Sequence, residues 1–332
     1  MGITIKELSE ISGYSITTIS RVITNKGNVK KETKEAVQKL LVQYNYRTNV
    51  MDFLKSEQSS KIIMVILGVL DNFYYSSLIK VIKEKTETYG YSVLIGYTDN
   101  SLEEEEKYVR MAIKEQYAGI FFMNVRGGND LAELLKSGGV PVVFLNRGIR
   151  FAEFDSVTSD NYRGGYMITS YLIEMGHKKI GHLMGNTYST VAQERRRGYE
   201  DAMNDAKLPV TRNSVHIGEL NYESGYKYGE AIVKKGLDFT ALFCGNDLMA
   251  IGLITALSES GLSVPDDVSV VCYDDTRYAR DYGLTTVGAE PAKLGEKAVD
   301  ILLAKIRGEQ QESGTVVFRP HISERSSVKR LL

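Results

Sequence analysis

The sequence is poor in cysteine and histidine, and it has no long apolar run. Its 332 residues include two cysteines, Cys244 and Cys272, and four histidines. Each cysteine lies in a strand-like apolar stretch with no second Cys and no His at the spacing of a metal site. We therefore expect buried, reduced thiols and neither a metal nor a cofactor. The longest apolar stretch, 62–70, is interrupted by Gly68 and is too short to span a bilayer.

A secretory signal is also missing. Met1 is followed directly by GITIKE, where a signal peptide would have a basic segment and then a long apolar run. The apolar fraction of 43% and the charged fraction of 25% are ordinary for a soluble globular protein. These features predict a cytoplasmic protein, and the length allows two or three domains.

Catalytic motifs are scarce as well. The carboxylates of Asp274 and Asp275 follow a predicted strand, where adjacent side chains diverge and do not form a general acid–base pair by adjacency alone. His177 falls at a helix end and His182 in a strand, and no Ser or Cys occupies a nucleophile-elbow sequence. The sequence has no P-loop and no GxGxxG after a strand. We therefore predict that the protein is not an enzyme.

Positive charge is concentrated at the amino-terminal end. Residues 1–57 hold nine Lys or Arg against six Asp or Glu, a net charge of +3. The remainder holds 32 basic against 36 acidic residues, a net charge of −4, which gives −1 for the whole chain. This asymmetry favours a small segment that meets a polyanion, attached to a larger body that does not.

Apolar periodicity divides the chain into a helical headpiece, a linker and a core. Residues 1–57 have helical spacing, and the polar run at 58–61 is typical of a linker. The predicted headpiece helices are marked by Ile5, Leu8 and Ile11, by the stretch 15–24, and by Ala36, Leu40 and Tyr44. Residues 62–332 alternate apolar strands with amphipathic helices, which predicts an α/β core.

The core contains two successive series of strands. The strands of these series are IIMVILGVL, YSVLIGY, AGIFFMN and VPVVFLN, then KIGHLMG, SVHIGEL, TALFCGN and VSVVCYD. Helices between the strands imply right-handed crossovers and parallel sheets, so we predict two doubly wound lobes. The later segments TTVGAE, AVDILLAKI and TVVFRPHI are too few for a third lobe. We place the N-lobe at about 62–159 and 290–318, and the C-lobe at about 160–289 and 319–332.

The stretch ISGYSITTISRVITN fits a helix-turn-helix. A turn at Gly13 would join two short helices, with Ile19 and Val22 packing the second helix on the first. A polar helix on the surface of another kind of small bundle is the alternative. The charge asymmetry and the linker both favour the DNA-binding interpretation.

The polar face of the second helix carries groups that can read DNA. Ser15 can cap the helix and meet a phosphate. Ile16 and Thr17 can touch thymine methyl groups or hydrogen-bond a base, and Arg21 can form a bidentate pair with guanine O6 and N7. The short side chains let the helix approach the major groove closely.

Several longer motifs resemble one family of proteins. These motifs are TIKELSEISGYSITTISRVITN, LVQYNYRTN, MGHKKIGHLMG, ERRRGYEDAM, ALFCGNDLMAIG, VPDDVSVVCYDD and LTTVGAEPAKLGEKAV. They closely resemble the lactose- and galactose-repressor family of bacterial transcription regulators, over nearly the whole chain. The resemblance implies a homodimer with a DNA-binding headpiece. It also implies a core similar to periplasmic sugar-binding proteins, which holds a small effector.

Further DNA contacts are predicted in the headpiece and hinge. They include Thr4, Asn25 and Thr33. In the family a hinge helix folds on DNA and inserts a leucine into the minor groove, which assigns that role here to Leu54. Asp52 stands nearby, where it would face repulsion by phosphate. A weaker or differently placed hinge is therefore the alternative.

The effector site is predicted at strand ends that face the crevice between the lobes. Its candidates are Phe73, Tyr74, Asn146, Ser189, Arg195, Leu220, Asn246 and Asp274. The resemblance assigns the ligand-binding arginine to Arg195, and aromatic ligand contacts to Phe73 and Tyr74. In the alternative interpretation, Asn246 and Asp274 cap the helices that follow them, and the aromatic pair is lobe core.

These features predict a transcriptional regulator, most simply a repressor that binds double-stranded operator DNA. A sugar or sugar derivative in the core would control its affinity for the operator. Two alternatives stay open. The core could respond to a protein corepressor, or it could bind a purine or nucleoside whose base edges Asn146 and Asn246 would read.

Overall fold

The computed structural model describes residues 5–23, 29–43, 60–123, 126–146, 153–309 and 313–331. The described residues form two compact units that divide after Lys61, with the short segment 115–118 grouped with the first unit. We describe the first unit as the headpiece and the second as the core. Within the described residues, no helix is both long enough and apolar enough to cross a membrane.

The described part of the headpiece is helical, as predicted. Its helices are α1 (Ile5–Ser12), α2 (Ile16–Ile23) and α3 (Lys31–Gln43). They pack around a small apolar cluster of Leu8, Ile19, Val22, Val37 and Leu41. Because Ile19 and Val22 lie one turn apart, α2 turns one edge into this cluster and leaves the rest of its surface to solvent.

Side-chain hydrogen bonds fix the turn between α1 and α2. Gly13 adopts a left-handed φ of 73°, which glycine reaches without strain. The Ser9 hydroxyl donates to the Tyr14 carbonyl oxygen at 2.7 Å, and the Ser15 hydroxyl accepts from the Thr18 amide at 3.1 Å. Ser15 therefore caps α2, as the sequence predicts. Ile11 does not join the apolar cluster, since 53% of its surface is exposed.

The first lobe of the core is built on a six-stranded parallel sheet with the order β11-β5-β4-β3-β1-β2. Its strands are β1 (Ile62–Leu67), β2 (Ser92–Tyr97), β3 (Gly119–Met123), β4 (Val142–Leu145), β5 (Asp155–Ser159) and β11 (Thr315–Phe318). The sequence prediction missed β5, because its residues are mostly polar. All five are nevertheless buried.

The second lobe is built on a sheet with the order β12-β10-β9-β8-β6-β7. Its strands are β6 (Ile180–Met184), β7 (Val215–Ile217), β8 (Ala241–Cys244), β9 (Ser269–Tyr273), β10 (Thr285–Gly288) and β12 (His321–Ser323). All pairs are parallel except β10 with β12. The chain passes between the sheets after β5, after β10 and after β11.

Helices cover both sheets. The described core helices are α4 (Phe73–Thr88), α5 (Leu102–Lys114), α6 (Asn129–Gly138), α7 (Asn161–Glu174), α8 (Thr190–Asp205), α9 (Tyr222–Lys235), α10 (Asp247–Glu259), α11 (Arg277–Asp281) and α12 (Pro291–Ile306). Helix α12 packs on α4 of the first lobe, where Lys85 Nζ lies 2.7 Å from Asp300 Oδ1. The predicted α/β class, with two parallel sheets after a helical headpiece, is confirmed.

Both cysteines are buried, with Cys244 in β8 and Cys272 in β9. Burial raises the pKa of both thiols above the ordinary value. The Cys272 thiol donates to Asp247 Oδ1 at 3.0 Å. Within the described residues, no group of three or more His, Cys, Asp or Glu side chains is arranged to hold a metal ion.

Candidate functional site

The exposed face of α2 presents most of the predicted DNA contacts. Ser15, Thr17 and Arg21 are exposed, and Ile16 keeps 46% of its surface accessible although it is apolar. Ile19, on the opposite edge of the helix, is completely buried. A short helix with small exposed side chains and one arginine a turn later has the shape and chemistry that a major groove accepts.

The remaining predicted DNA contacts fall elsewhere. Thr33 is half-buried in the first turn of α3. Thr4, Asn25 and Leu54 lie outside the described residues, as does Asp52.

A cavity of about 350 Å³ opens in the core between the two sheets. It lies at the carboxyl ends of β1, β2 and β4 of the first lobe, and of β6 and β7 of the second, as expected for doubly wound folds. The lining residues are Gly68, Val69, Leu70, Asp71, Asn72, Tyr75, Tyr97, Asp99, Asn100, Asn146, Asn186, Tyr188, Ser189, Thr190, Val191, Glu219, Leu220, Asn221 and Glu223. Its volume lies in the range of small-molecule sites.

Two lining residues hold buried oxygen atoms that have no hydrogen-bond partner among the residues that the structure describes. One is Asn146 Oδ1, at the end of β4, and the other is Thr190 Oγ1, at the start of α8. Only 8% of Asn146 is exposed, and its backbone has a left-handed φ of 55°. Buried polar atoms are normally paired, and strained backbone is common at binding sites. This pair of oxygens therefore marks a place for a hydrogen-bond donor.

Other polar lining groups are already fixed by neighbours. Tyr97 Oη donates to Asp99 Oδ1 at 2.8 Å, and Asn186 Nδ2 donates to Glu219 Oε2 at 2.7 Å. Ser189 caps α8 by accepting from the Ala192 amide at 3.4 Å. The polar wall of the cavity is thus partly preorganised.

A second polar cluster, centred on Arg195, lies inside the second lobe. Its guanidinium donates to Asn161 Oδ1 at 2.9 Å, to the Gly245 carbonyl oxygen at 2.6 Å and to Asp274 Oδ1 at 3.1 Å. It also lies 3.5 Å above the centre of the Tyr273 ring. Arg195 is 3% exposed and Asp274 is 4% exposed. This buried ion pair joins α7 and α8 to the loops after β8 and β9.

Two carboxyl groups in this region have raised pKa values, namely those of Asp247 and Asp274. Burial raises the pKa of Asp247 to about 7, with a further contribution from the nearby charge of Asp274. Burial also raises the pKa of Asp274, although Arg195 opposes that shift. Asp247 accepts from the Thr276 amide at 2.8 Å, which ties it to the loop that follows β9.

Aromatic and cationic side chains connect the lobes beside the cavity. Phe73 of α4 stacks on Tyr278 of α11, with ring centres 3.6 Å apart. The Arg126 guanidinium lies 4.6 Å from the centre of the Tyr188 ring. Tyr74 is buried, and burial raises its pKa well above the ordinary value. Two contacts between side chains of opposite lobes therefore flank the opening.

The predicted effector residues divide into three groups. Asn146, Ser189 and Leu220 line the cavity. Arg195 and Asp274 form the buried ion pair, whereas Phe73 and Tyr74 contribute to the aromatic contacts between the lobes and to the buried interior.

Asn246 occupies a position between the cavity and the interior. It caps α10 by accepting from the Met249 amide at 3.0 Å, and its Nδ2 donates to the carbonyl oxygen of the lining residue Leu220 at 3.1 Å. The helix-capping alternative for Asn246 therefore matches its geometry. Asp274 does not cap the following helix, because Thr276 is the residue before α11.

The sequence prediction missed several lining residues. They could have been found, because polar residues just after the strands of a doubly wound sheet are expected to face the ligand crevice. Asp71 and Asn72 follow β1, Asp99 follows β2, and Glu219 follows β7. These residues are polar and stand two to five positions after an apolar strand, much as Asn146 stands directly after β4. The same signal that indicated Asn146, Asn246 and Asp274 was therefore present in the sequence at these positions.

Comparisons with known proteins agree with this architecture. Residues 4–49 match the family of bacterial regulatory proteins called the lacI family, and residues 169–328 match the periplasmic binding protein-like domain. The chain is 33% identical over 332 residues to the HTH-type transcriptional repressor PurR of Actinobacillus pleuropneumoniae serotype 3, strain JL03, covering 99% of both chains. It is 35% identical over 336 residues to that of Haemophilus influenzae strain PittEE, again covering 99% of both.

A solved structure is similar over the same length. The complex of the transcriptional regulator CelR with cellobiose superimposes with a TM-score of 0.74 at 25% identity, covering 98% of this chain and 99% of that one. The relatives, the helix-turn-helix and the two-lobe core lead to one conclusion. The chain belongs to the lacI family of bacterial regulatory proteins and is a DNA-binding transcriptional repressor.

Proposed function

We propose that a small effector bound in the core cavity controls the operator affinity of this repressor, and that the effector is a sugar or a related polyol. The observation that carries the proposal is Asn146, whose buried and unpartnered Oδ1 belongs to a cavity lined by both lobes. The similarity to a regulator solved with cellobiose supports the same ligand class. The effector would act without being chemically changed, so we propose no catalytic step and no cofactor.

The proposed mechanism is thermodynamic linkage. A ligand that touches Asn146 in the first lobe and Thr190 in the second favours one arrangement of the lobes. It can shift the DNA-binding equilibrium only by its difference in affinity between the two arrangements. Phe73 stacks on Tyr278 and Arg126 lies over Tyr188, and these contacts would stabilise the arrangement of the lobes in which they are formed.

The proposed domains follow the sequence boundaries. Residues 1–57 form the DNA-binding headpiece and hinge, 58–61 the linker, and 62–332 the core. DNA contacts are proposed for Ser15, Ile16, Thr17 and Arg21 of α2. The hinge is proposed to place a leucine in the minor groove. A cytoplasmic location fits a protein that meets operator DNA.

The protein is proposed to act as a homodimer. Strand β2 lies at the edge of the first sheet and exposes 39% of Leu94 and 45% of Ile95. An exposed apolar edge of this kind is typical of a protein interface. We expect Ile95→Glu to shift the sedimentation coefficient from dimer to monomer at micromolar concentration. A parent chain that sediments as a monomer would contradict the proposal.

A purine or nucleoside is the second candidate effector. The rings of Tyr75, Tyr97 and Tyr188 line the cavity and could stack on a base. A protein corepressor is the third candidate, and it would leave the cavity without a regulatory ligand. A screen of sugars and nucleosides by thermal shift separates these classes, because a ligand that binds only the folded chain raises the melting temperature.

Operator recognition is tested through the exposed arginine of α2. After selection of a binding sequence from random DNA, Arg21→Ala should weaken binding to that sequence by about 1 to 3 kcal/mol and relax the preference at one base. Lys39→Ala, another exposed basic residue of the headpiece, is the matched control and should preserve the base preference. Equal losses on selected and random DNA for Arg21→Ala would remove its assigned role.

The link between cavity and operator is tested by fluorescence anisotropy of labelled operator, measured with and without each compound that raises the melting temperature. We expect such a compound to change the operator Kd of the parent chain. A compound that stabilises the core but leaves the operator Kd unchanged would contradict effector control.

A further inference from the structure

The charged groups around the cavity restrict the chemistry of its ligand. Four lining residues carry carboxylates, namely Asp71, Asp99, Glu219 and Glu223. They come from both lobes, since Asp71 and Asp99 follow strands of the first sheet and the glutamates follow β7 of the second. Among the lining residues that the structure describes, none is Lys, Arg or His. Arg126, which lies over the Tyr188 ring and donates to the carbonyl oxygen of Asn100, contributes one positive charge beside the cavity against four carboxylates. Carboxylates grouped around a concave site create a negative potential inside it.

Hydrogen bonds from neutral groups leave this negative charge in place. Asp99 accepts from the neutral phenol of Tyr97, and Glu219 accepts from the neutral amide of Asn186. Both bonds fix the position of a carboxylate without balancing its charge. Asp71, Asp99, Glu219 and Glu223 are also exposed to solvent at the cavity, so they can act on a ligand as it approaches.

The buried oxygens add a second restriction. An amide oxygen such as Asn146 Oδ1 can only accept a hydrogen bond, so the ligand atom that meets it must carry a proton. Thr190 Oγ1 offers a hydroxyl from the opposite lobe. A ligand hydroxyl can donate to Asn146 and accept from Thr190, so these two residues favour a ligand with hydroxyl groups, and the carboxylates alone set the preference for its charge.

We infer that the cavity selects an uncharged ligand rich in hydroxyl groups and rejects anionic ligands such as sugar phosphates, sugar acids and nucleotides. This inference names the ligand class of the effector site and rests on the proposed function. Asn146 and Thr190 form hydrogen bonds with the ligand hydroxyl groups, and the four carboxylates repel anionic ligands. The tyrosine rings that line the cavity supply flat apolar faces for the ligand's C–H groups.

Isothermal titration calorimetry of the full chain tests the inference with matched neutral and anionic probes. The pairs are glucose with glucose 6-phosphate and with glucuronate, cellobiose with cellobionate, and guanosine with guanosine 5′-monophosphate. We expect binding by at least one neutral sugar, and an affinity at least about tenfold higher than that of its anionic partner. The difference should shrink as salt is raised, because the carboxylates are exposed.

Variants separate the two parts of the inference. Asp71→Asn combined with Glu223→Gln should reduce the ratio of neutral to anionic affinity by several fold. Glu174→Gln, an exposed carboxylate away from the cavity, is the matched control and should change neither. Thr190→Val should weaken binding of the neutral sugar about tenfold or more, whereas Thr190→Ser, which keeps the hydroxyl, should retain it.

Two results would overturn the inference, and they have different meanings. An anionic probe that binds as tightly as its neutral partner would refute charge selection and leave effector control standing. Failure of every probe to bind would refute both this inference and the proposed small-molecule effector. Circular dichroism of each variant shows whether it is folded before its affinity is compared.

Discussion

The core contains two polar clusters that differ in how completely their central polar groups are hydrogen-bonded, although the Arg195 cluster also borders a buried oxygen without a partner among the described residues, Thr276 Oγ1. In the Arg195 cluster, one guanidinium binds acceptors on Asn161, Gly245 and Asp274, and the ion pair is almost fully buried. In the cavity, Asn146 and Thr190 each keep a buried oxygen atom for which the described part of the chain supplies no partner.

This difference separates a structural cluster from a binding surface. A buried charge with all its partners in place stabilises one geometry, and removing one partner leaves the other charge unpaired. A buried acceptor without a partner destabilises the ligand-free chain slightly and gains its hydrogen bond when a donor arrives. Mutations in the two clusters should therefore have different effects. We expect a large loss of stability from mutations in the Arg195 cluster and a loss of ligand binding from mutations in the cavity.

The largest expected effect is that of Arg195→Met. It leaves the buried carboxylate of Asp274 without its cation, and we expect the free energy of unfolding to fall by about 3 to 5 kcal/mol. Urea denaturation followed by circular dichroism measures the change. A loss smaller than about 1 kcal/mol would show that the ion pair is not needed for the fold.

A double-mutant cycle sharpens this result. Asp274→Asn removes the charge that Arg195→Met leaves unpaired. The double variant should therefore be more stable than the sum of the two single losses predicts. The surplus is the interaction free energy of the pair. Additive losses would contradict a direct coupling between the two side chains.

The second prediction concerns the pH dependence of stability, and it tests the electrostatics of the buried cluster. Asp247 has a pKa of about 7 in the folded chain against an ordinary value of 3.8. Between these values the folded chain binds more protons than the unfolded chain, so the free energy of unfolding falls as pH rises. The contribution is complete below about pH 3.8 and is lost as pH rises through 7.

His182 acts in the opposite direction over part of this range. Burial lowers its pKa from 6.5 to about 4, so its contribution is present above 6.5 and is lost as pH falls through 4. The parent chain and Asp247→Asn both keep His182. The difference between their stability curves therefore removes the contribution of His182 and reports Asp247 together with its interaction with Asp274.

We expect the parent to lose stability relative to Asp247→Asn as pH rises from 5 to 7, by at most about 1.4 kcal/mol per pH unit for one proton. Asp130→Asn, an exposed carboxylate at the start of α6, is the control and should follow the parent curve. Parallel curves for the parent and Asp247→Asn would mean that Asp247 does not hold its proton in this range.

The two clusters also show how far the sequence alone could predict the site. Helical periodicity separates Ile19 from Thr17 and Arg21, so the exposed face of α2 was predictable from spacing. The rule for strand ends placed Asn146 correctly at the end of β4. It could not distinguish cavity from interior, because Ser189 and Arg195 are close in sequence. Ser189 lines the cavity, whereas the loops after β8 and β9 hold Arg195 in the interior.

Strand β5 shows the same limit for the fold. Its sequence DSVTS has one apolar residue, so no hydrophobic pattern indicates a buried strand. The structure satisfies its polar groups through tertiary contacts that are distant in sequence. Asp155 Oδ2 lies 2.5 Å from Lys305 Nζ, and Ser159 Oγ lies 3.1 Å from Tyr273 Oη. Partners separated by more than a hundred residues leave no local signal.

The smallest expected effect on stability is that of Asn146→Gly in the cavity. Glycine adopts the left-handed φ of 55° without strain, and the change removes an acceptor that has no partner, so the free energy of unfolding should change by less than about 1 kcal/mol. The same variant should lose the rise in melting temperature that a bound sugar gives the parent chain. A loss of more than about 2 kcal/mol in urea denaturation would place Asn146 with the structural cluster. Retention of the full sugar response would show that its oxygen does not meet the ligand, so these two measurements together assign the residue to one cluster or to neither.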